Sequence, residues 1–331
     1  MATGATGRSP APSPRLGLVL PLDGVGMAGH GDFVRRLTDC GFTDVWAGET
    51  NGLDSVVPLA AAAAWNPALH IGTGIMPATT RGPAVLAMTA AALAELAPGR
   101  FSFGIGSSSP VAVEEWNAAG YDRPVARVRD TVRFLRQALA GQRVDEQYET
   151  FAVRGFRLAR VPEVPPQLLV AALRPRMLAL ARDEADGAIT TCLASSDLDT
   201  VAGVLGPGCR LVSWLLVCPS RDAERVRDWA RPRLAAYLCV PAYAELHRWL
   251  GRAGMLEAVW EAWARGDRRA AAAAVTDPLV DALVVHGDPE QCAEGIHRFV
   301  ESGVTEPVLS VQPLDGDPMT AIAMVGAAFR R

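Results

Sequence analysis

Residues 69–106 read LHIGTGIMPATTRGPAVLAMTAAALAELAPGRFSFGIG. Two apolar runs, LHIGTGI (69–75) and RFSFGIG (100–106), flank a stretch with helix chemistry. Pro83 suits a first helical turn, where its missing N–H has no partner anyway. The alanine-rich residues that follow, to Leu96, are strong helix formers. Both flanking runs are apolar without alternation, as strands buried on two faces must be. This strand–helix–strand unit predicts parallel pairing through a right-handed crossover.

The same rhythm extends both ways. Upstream lie LGLVLP (16–21) and TDVWAG (43–48), with helices expected at Gly31 to Cys40 and Asp54 to Trp65. Downstream lie QLLVAA (167–172), GAITT (187–191), CRLVSWLLV (209–217) and EPVLSV (306–311). Helices are expected at Arg123 to Ala140, Pro175 to Glu184, 196–205 and Pro318 to Phe329. Eight strands alternating with helices predict an α/β fold, a single (β/α)8 TIM barrel. Residues 144–158 read as a β-hairpin insertion. Helical material over 221–302 exceeds one barrel unit and reads as a helical insertion between strands seven and eight. The first 15 residues, small, polar and proline-rich, read as a disordered tail without the apolar core of a signal peptide.

Of 331 residues, 32 are basic and every one is arginine. Schiff-base, pyridoxal-phosphate and P-loop chemistry each need a lysine, so all are excluded. A bound phosphate must rest on arginine, hydroxyls or backbone amides. The net charge of −4 carries no nucleic-acid footprint. No apolar run is long enough to span a membrane. The six cysteines stand singly, with no metal-ligand spacing, and are expected to be reduced thiols in a cytoplasmic protein. No HxH, HExxH or carboxylate cluster predicts a metal.

Active sites of such barrels lie at the C-terminal strand ends. Glu49, directly after the second strand, reads as an acid, base or hydrogen-bond acceptor, or else as a structural ion pair. Asp23, after the first, reads the same way or as a helix cap. Gly106, Ser107, Ser108 and Ser109 offer adjacent amides and hydroxyls, a phosphate nest or an ordinary serine-rich connection. Arg174 and Arg176 open a helix where an anion would meet both amides and guanidinium, or simply start a solvated helix. Trp116 and Tyr121 could wall a pocket or pack. His30 alone of the five histidines falls near a mouth loop.

The stretches TDVWAGE, HIGTGIMPATTRGP, LAPGRFSFGIGSSSP, GFRLARVPEVPPQLLVAALRPRM and EADGAI, in this order and spacing, carry a resemblance. The chain resembles the bacterial-luciferase-like oxidoreductases, from about Leu16 to Val311. The resemblance implies a (β/α)8 barrel using coenzyme F(420), a deazaflavin, or FMN. It implies a non-proline cis peptide at Gly74-Ile75 behind the cofactor ring. It further implies phosphate held by Gly106 to Ser108 and by amides of Ala172, Leu173 and Arg174. Thr50 and Ser109 stand where some deazaflavin dehydrogenases carry a His and a Glu, which speaks against sugar-phosphate dehydrogenation. Glu49 is then the expected acid.

The resulting expectation is a deazaflavin-dependent oxidoreductase that moves hydride to a C=C or C=N bond of a small-molecule or natural-product substrate. The alternatives are an FMNH2-dependent monooxygenase of the same fold and a non-catalytic ligand-binding barrel. Family members often pair through helices near strands two and three, so Leu59 to Trp65 marks a possible homodimer face.

Overall fold

A computed structural model describes residues 15–331. The eight expected strands are present: β1 (Gly17–Val19), β2 (Asp44–Ala47), β3 (His70–Thr73), β4 (Phe101–Gly106), β5 (Gln167–Ala171), β6 (Gly187–Thr191), β7 (Arg210–Pro219) and β8 (Glu306–Val311). Each pairs in parallel with the next, and β8 pairs with β1, so the barrel closes. Helices Pro83–Leu96, Pro175–Glu184 and Pro318–Phe329 each begin at a proline. Residues 1–14 of the expected tail lie outside the described residues. Arg15 belongs to the barrel, pairing with Asp44 and lying 3.5 Å from Glu306.

Two indoles dominate the barrel interior. Trp46, fully buried, packs with Leu169, Ile189, Val212 and Val308, and Trp214 lies against this cluster. β3, paired alongside β2 with Gly72 in register with Trp46, makes room by carrying no side chain there. A Cβ on Gly72 would sit 2.5 Å from the Trp46 ring, and one on Gly74 would sit 2.4 Å from Trp214. The Trp46 Nε1–H donates to Glu306 Oε1 at 2.8 Å. Glu306 in turn accepts from Arg210 at 2.5 Å, and Arg210 donates to Ser102 at 2.9 Å. This buried network fastens β2, β4, β7 and β8 at the N-terminal end, the stability face of such a barrel.

The third strand is interrupted. Gly72 pairs with Ser102 and, beyond the break, Met76 pairs with Ile105. Four residue steps therefore face three, a β-bulge. The Gly74–Ile75 peptide within it is cis. Thr73 spans the gap: its hydroxyl accepts from Gly104 N–H and donates to Gly104 C=O, both at 2.8 Å. A Cβ on Gly104 would lie 2.0 Å from Thr73 O.

The expected hairpin is antiparallel, Val144–Gln147 against Ala152–Phe156. The stretch 221–302 divides in two. Helices Ala223–Leu238, Ala253–Ala264, Arg268–Ala273 and Asp277–Leu283 share their own core around Leu234, Leu256 and Val280, while helix Pro241–Trp249 packs Leu246 into the barrel's core. A strand, Val284–Gly287, then pairs with β7, and helix Pro289–Glu301 is the crossover that the barrel itself requires. The first helix is shorter than expected, ending at Arg35. Asn66 Nδ2 donates to the Val34 and Arg35 carbonyls at 3.0 and 3.2 Å, taking acceptors that further α-turns would use.

The turn between helices Pro241–Trp249 and Ala253–Ala264 is clipped to the loop after β6. Arg252 donates to both Asp197 oxygens at 2.9 and 2.7 Å, and Asp197 also accepts from Ala194 N–H. His247 lies fully buried beside this pair, and burial, then the Arg252 charge, depress its imidazole to about 4. Burial and Arg15 depress His70 likewise to about 4.

Gly104→Ala is expected to destabilise the fold by about 1–3 kcal/mol, because the new methyl meets backbone rather than a yielding side chain. A thermal melt checks this; an unchanged Tm refutes the tight Thr73–Gly104 contact. The histidines give a pH dependence. The native state keeps His247 neutral, while the unfolded chain protonates near its ordinary pKa, so stability is lost as pH falls from about 6.5 toward 4. Between pH 7 and 5 the loss from His247 is about 1–2 kcal/mol. Denaturation midpoints at the two pH values measure it, and His247→Gln should show the smaller drop.

Candidate functional site

The C-terminal strand ends form one mouth, and strand register decides which loops meet there. Ile105 pairs with Val170, so the turns after β4 and β5 lie side by side. Gly106 marks the contact: a Cβ there would sit 2.9 Å from Ala171 Cβ and about as close to Ile75. Gly106, Ile75 and the β5 end thus converge, as do the residues of the bulge.

The serine turn is held from behind. Ser108 adopts a left-handed φ of 60°, rare for a side-chain-bearing residue. Tyr121 donates its hydroxyl to the Ser108 carbonyl at 3.1 Å and lies 3.4 Å from Ser107 Oγ. Ser109 plays a different part, since its hydroxyl accepts from Ala112 N–H at 3.2 Å and starts the π-helical turn Val111–Glu115. Trp116, at the end of that turn, is 52% exposed and covers no core.

Across the seam, Arg174 precedes helix Pro175–Glu184 in extended conformation, and no side chain caps that helix. Pro175 has no N–H, and the Met177 N–H closes onto the Arg174 carbonyl at 3.0 Å. The free donors at this turn are therefore the amides of Leu173, Arg174 and Arg176, placed as anion-binding amides at helix N-termini are. The Ala172 amide, expected to join them, is spent on Ile189 O at 2.8 Å, because it still belongs to the barrel ladder. Arg174 and Arg176 are both exposed. Hydroxyls, amides and guanidinium stand together here without any lysine, as a phosphate site in this chain requires.

Glu49 and Asp23 diverge. Glu49 accepts from Arg81 Nη1 at 2.5 and 2.6 Å and from the Ser55 hydroxyl and amide at 2.9 and 3.2 Å. Its backbone N–H donates to Ile75 O. The side chain is thus a clamp joining the loops after β2 and β3, with its acceptor sites taken. Asp23 is exposed and accepts one bond, from Gln312 Nε2 at 3.1 Å. It borders an open cleft of about 380 Å³ between the loops after β1 and β8, opposite the serine turn on the ring. His30 is buried as a strut: its Nε2 accepts from Leu22 N–H at 2.9 Å, and Nδ1 lies 3.0 Å from Gly26 O.

Three further residues stand at the mouth, of which the two tyrosines escape sequence reasoning. Cys192, at the end of β6, has a φ of 57°, and burial pushes its thiol up to about 11, so it stays protonated and inert as a nucleophile. Tyr237 and Tyr243, from the insertion, contact edge to face with ring centroids 5.8 Å apart. Burial, then the neighbouring Cys192, raises the pKa of the Tyr243 phenol, while Tyr237 is 55% exposed. Their position depends on how the insertion folds back, which no local pattern encodes; the proline at 241 marks only the helix start. Among the described residues no three His, Cys, Asp or Glu side chains gather to hold a metal, and no helix is long and apolar enough to cross a membrane.

Known proteins share this architecture. A protein of Mycobacterium tuberculosis named as a coenzyme F(420)-dependent oxidoreductase is 26% identical over 78% of this chain and 84% of its own. The 5,10-methylenetetrahydromethanopterin reductase of Archaeoglobus fulgidus is 25% identical over 80% of this chain and 84% of its own. The structure of the coenzyme F(420)-dependent tetrahydromethanopterin reductase of Methanopyrus kandleri superposes with a TM-score of 0.76 at 20% identity, covering 95% of this chain and 98% of its own. That likeness concerns the fold. The luciferase-like monooxygenase family model matches residues 16–306, from the approach to β1 to the first residue of β8, and the chain belongs to that family.

Proposed function

We propose that this chain is a coenzyme F(420)-dependent oxidoreductase that transfers hydride to a C=C or C=N bond of a small-molecule or natural-product substrate. The observation that carries the reading is the seam between β4 and β5. There Gly106, Ser107 and Ser108 meet the free amides of Leu173 and Arg174 across a gap that any Cβ at 106 would fill. A relative matched over most of its length bears a name that specifies the deazaflavin. When bound, that coenzyme supplies the hydride.

The residues present fit such a group. Ser107, Ser108 and the N-terminus of helix Pro175–Glu184 would hold its phosphate. Arg174 and Arg176, exposed beside them, suit the extra carboxylates of a deazaflavin tail better than the shorter FMN. Gly74 and Ile75 would back its ring, positioned by Thr73 and Trp214. The Glu49–Arg81 pair would fix the loops that border the ring rather than move a proton. Asp23, with an oxygen open to the cleft, is the mouth carboxylate freer to meet substrate. Tyr237 and Tyr243 would wall the substrate side and exclude water from it, which strengthens polar contacts inside. The protein's part in hydride transfer is placement and electrostatics of this kind.

Titration of the purified protein with coenzyme F(420) and with FMN checks the reading. Stoichiometric deazaflavin binding is expected, with FMN weaker. Ser107→Ala should loosen F(420) by about ten- to a hundredfold, the worth of one hydrogen bond to a charged group. Tight stoichiometric FMN binding without deazaflavin binding would overturn the proposal in favour of an FMNH2-dependent monooxygenase. Absence of binding by either would leave a ligand-binding barrel of another kind.

A further inference from the structure

Helix Pro241–Trp249 and the turn that follows it are tied to the mouth by two ion pairs of very different quality, one from each. The Arg252–Asp197 pair is bidentate, with side chains only 14% and 7% exposed. The Glu245–Arg174 pair is a single contact at 3.9 Å, with side chains 47% and 49% exposed. Exposed pairs of that kind contribute about 0–1 kcal/mol. Glu245 has a second partner, Arg248, one helical turn on. Arg248 is itself fixed, its guanidinium 4.2 Å over the Trp260 ring. Glu245 can therefore give up Arg174 without losing its own neutralisation. Arg174 has no other carboxylate within reach among the described residues.

We infer that Glu245 is a resident competitor for the anion site at Arg174, and that it selects ligands by charge. A ligand takes Arg174 only by bringing more negative charge there than Glu245 does. A phosphate or a cluster of carboxylates meets that condition. A single carboxylate gains little, because it replaces like with like. On arrival of such a ligand Glu245 turns to Arg248, a side-chain exchange that leaves the buried Arg252–Asp197 clip intact. Glu245 is thus a specificity-determining residue that need not touch the reacting atoms. The inference rests on the reading of the β5 turn as an anion site.

The experiment is calorimetric titration at low salt with coenzyme F(420) and with its phosphate-free deazaflavin core. Glu245→Gln should tighten F(420) by about two- to fivefold. It should leave the phosphate-free core unchanged, and the gain should shrink in high salt as screening removes the competition. Arg174→Met should weaken F(420), and in the double variant the Glu245→Gln gain should vanish. If Arg174→Met weakens F(420) while Glu245→Gln changes nothing, Glu245 does not compete and the inference falls, with the β5 reading intact. If Arg174→Met leaves F(420) unchanged, the β5 reading falls and the inference with it. Both positions are half-exposed, so the variants should fold with unchanged Tm.

Discussion

Two tryptophans must fit inside one eight-stranded ring, and much else follows from that. Eight strands leave an interior just wide enough for side chains to fill. Trp46 and Trp214 take so much of it that β3, the neighbour of the Trp46 strand, carries glycine at 72 and is followed by glycine at 74. With Gly74 flattened against an indole, β3 departs from its neighbour, and Thr73 stitches the gap to Gly104. The bulge that borders the mouth is therefore a packing solution as well as a binding surface. Core and site share the same residues at this level of the barrel.

The Trp46 indole also reaches downward. Its hydrogen bond to Glu306 draws a carboxylate into a fully buried position, where Arg210 and Arg15 must follow. A buried charge left alone would cost several kcal/mol, so these partners are obligatory once Glu306 is inside. The result is a charged seal at one end of the barrel and a polar, open mouth at the other. All of it is built with arginine. A lysine-free chain has no compact cation to place, so its anion sites are planar forks and backbone amides.

What can be read from sequence follows from the range of each interaction. Strands 187–191 and 306–311 and helices 83–96, 175–184 and 318–329 have the bounds that turn residues and N-terminal prolines announce. Those signals are local. The first helix stops early because Asn66, some thirty residues away, takes its carbonyls, and nothing within 31–40 reveals that. At the mouth, strand order brings Gly106 and Arg174 to one seam, so that pairing is legible. Glu49 has the position of an acid; its Arg81 and Ser55 partners, set by loop paths, make it a clamp. Tyr237 and Tyr243 depend on the return path of a long insertion, which leaves no local trace in the sequence.

β7 has a consequence for how the molecule comes apart. Its ten residues belong to two assemblies: the first half pairs with β6, and the last four bond to Val284–Gly287 of the insertion, while β8 runs along its other side. Barrel and insertion thus hold opposite ends of one continuous backbone ladder. Neither can melt without stripping hydrogen bonds from the strand that the other needs. Contiguous units of this kind open together. The insertion, despite its separate apolar core, is thermodynamically a wing of the barrel, not a second domain.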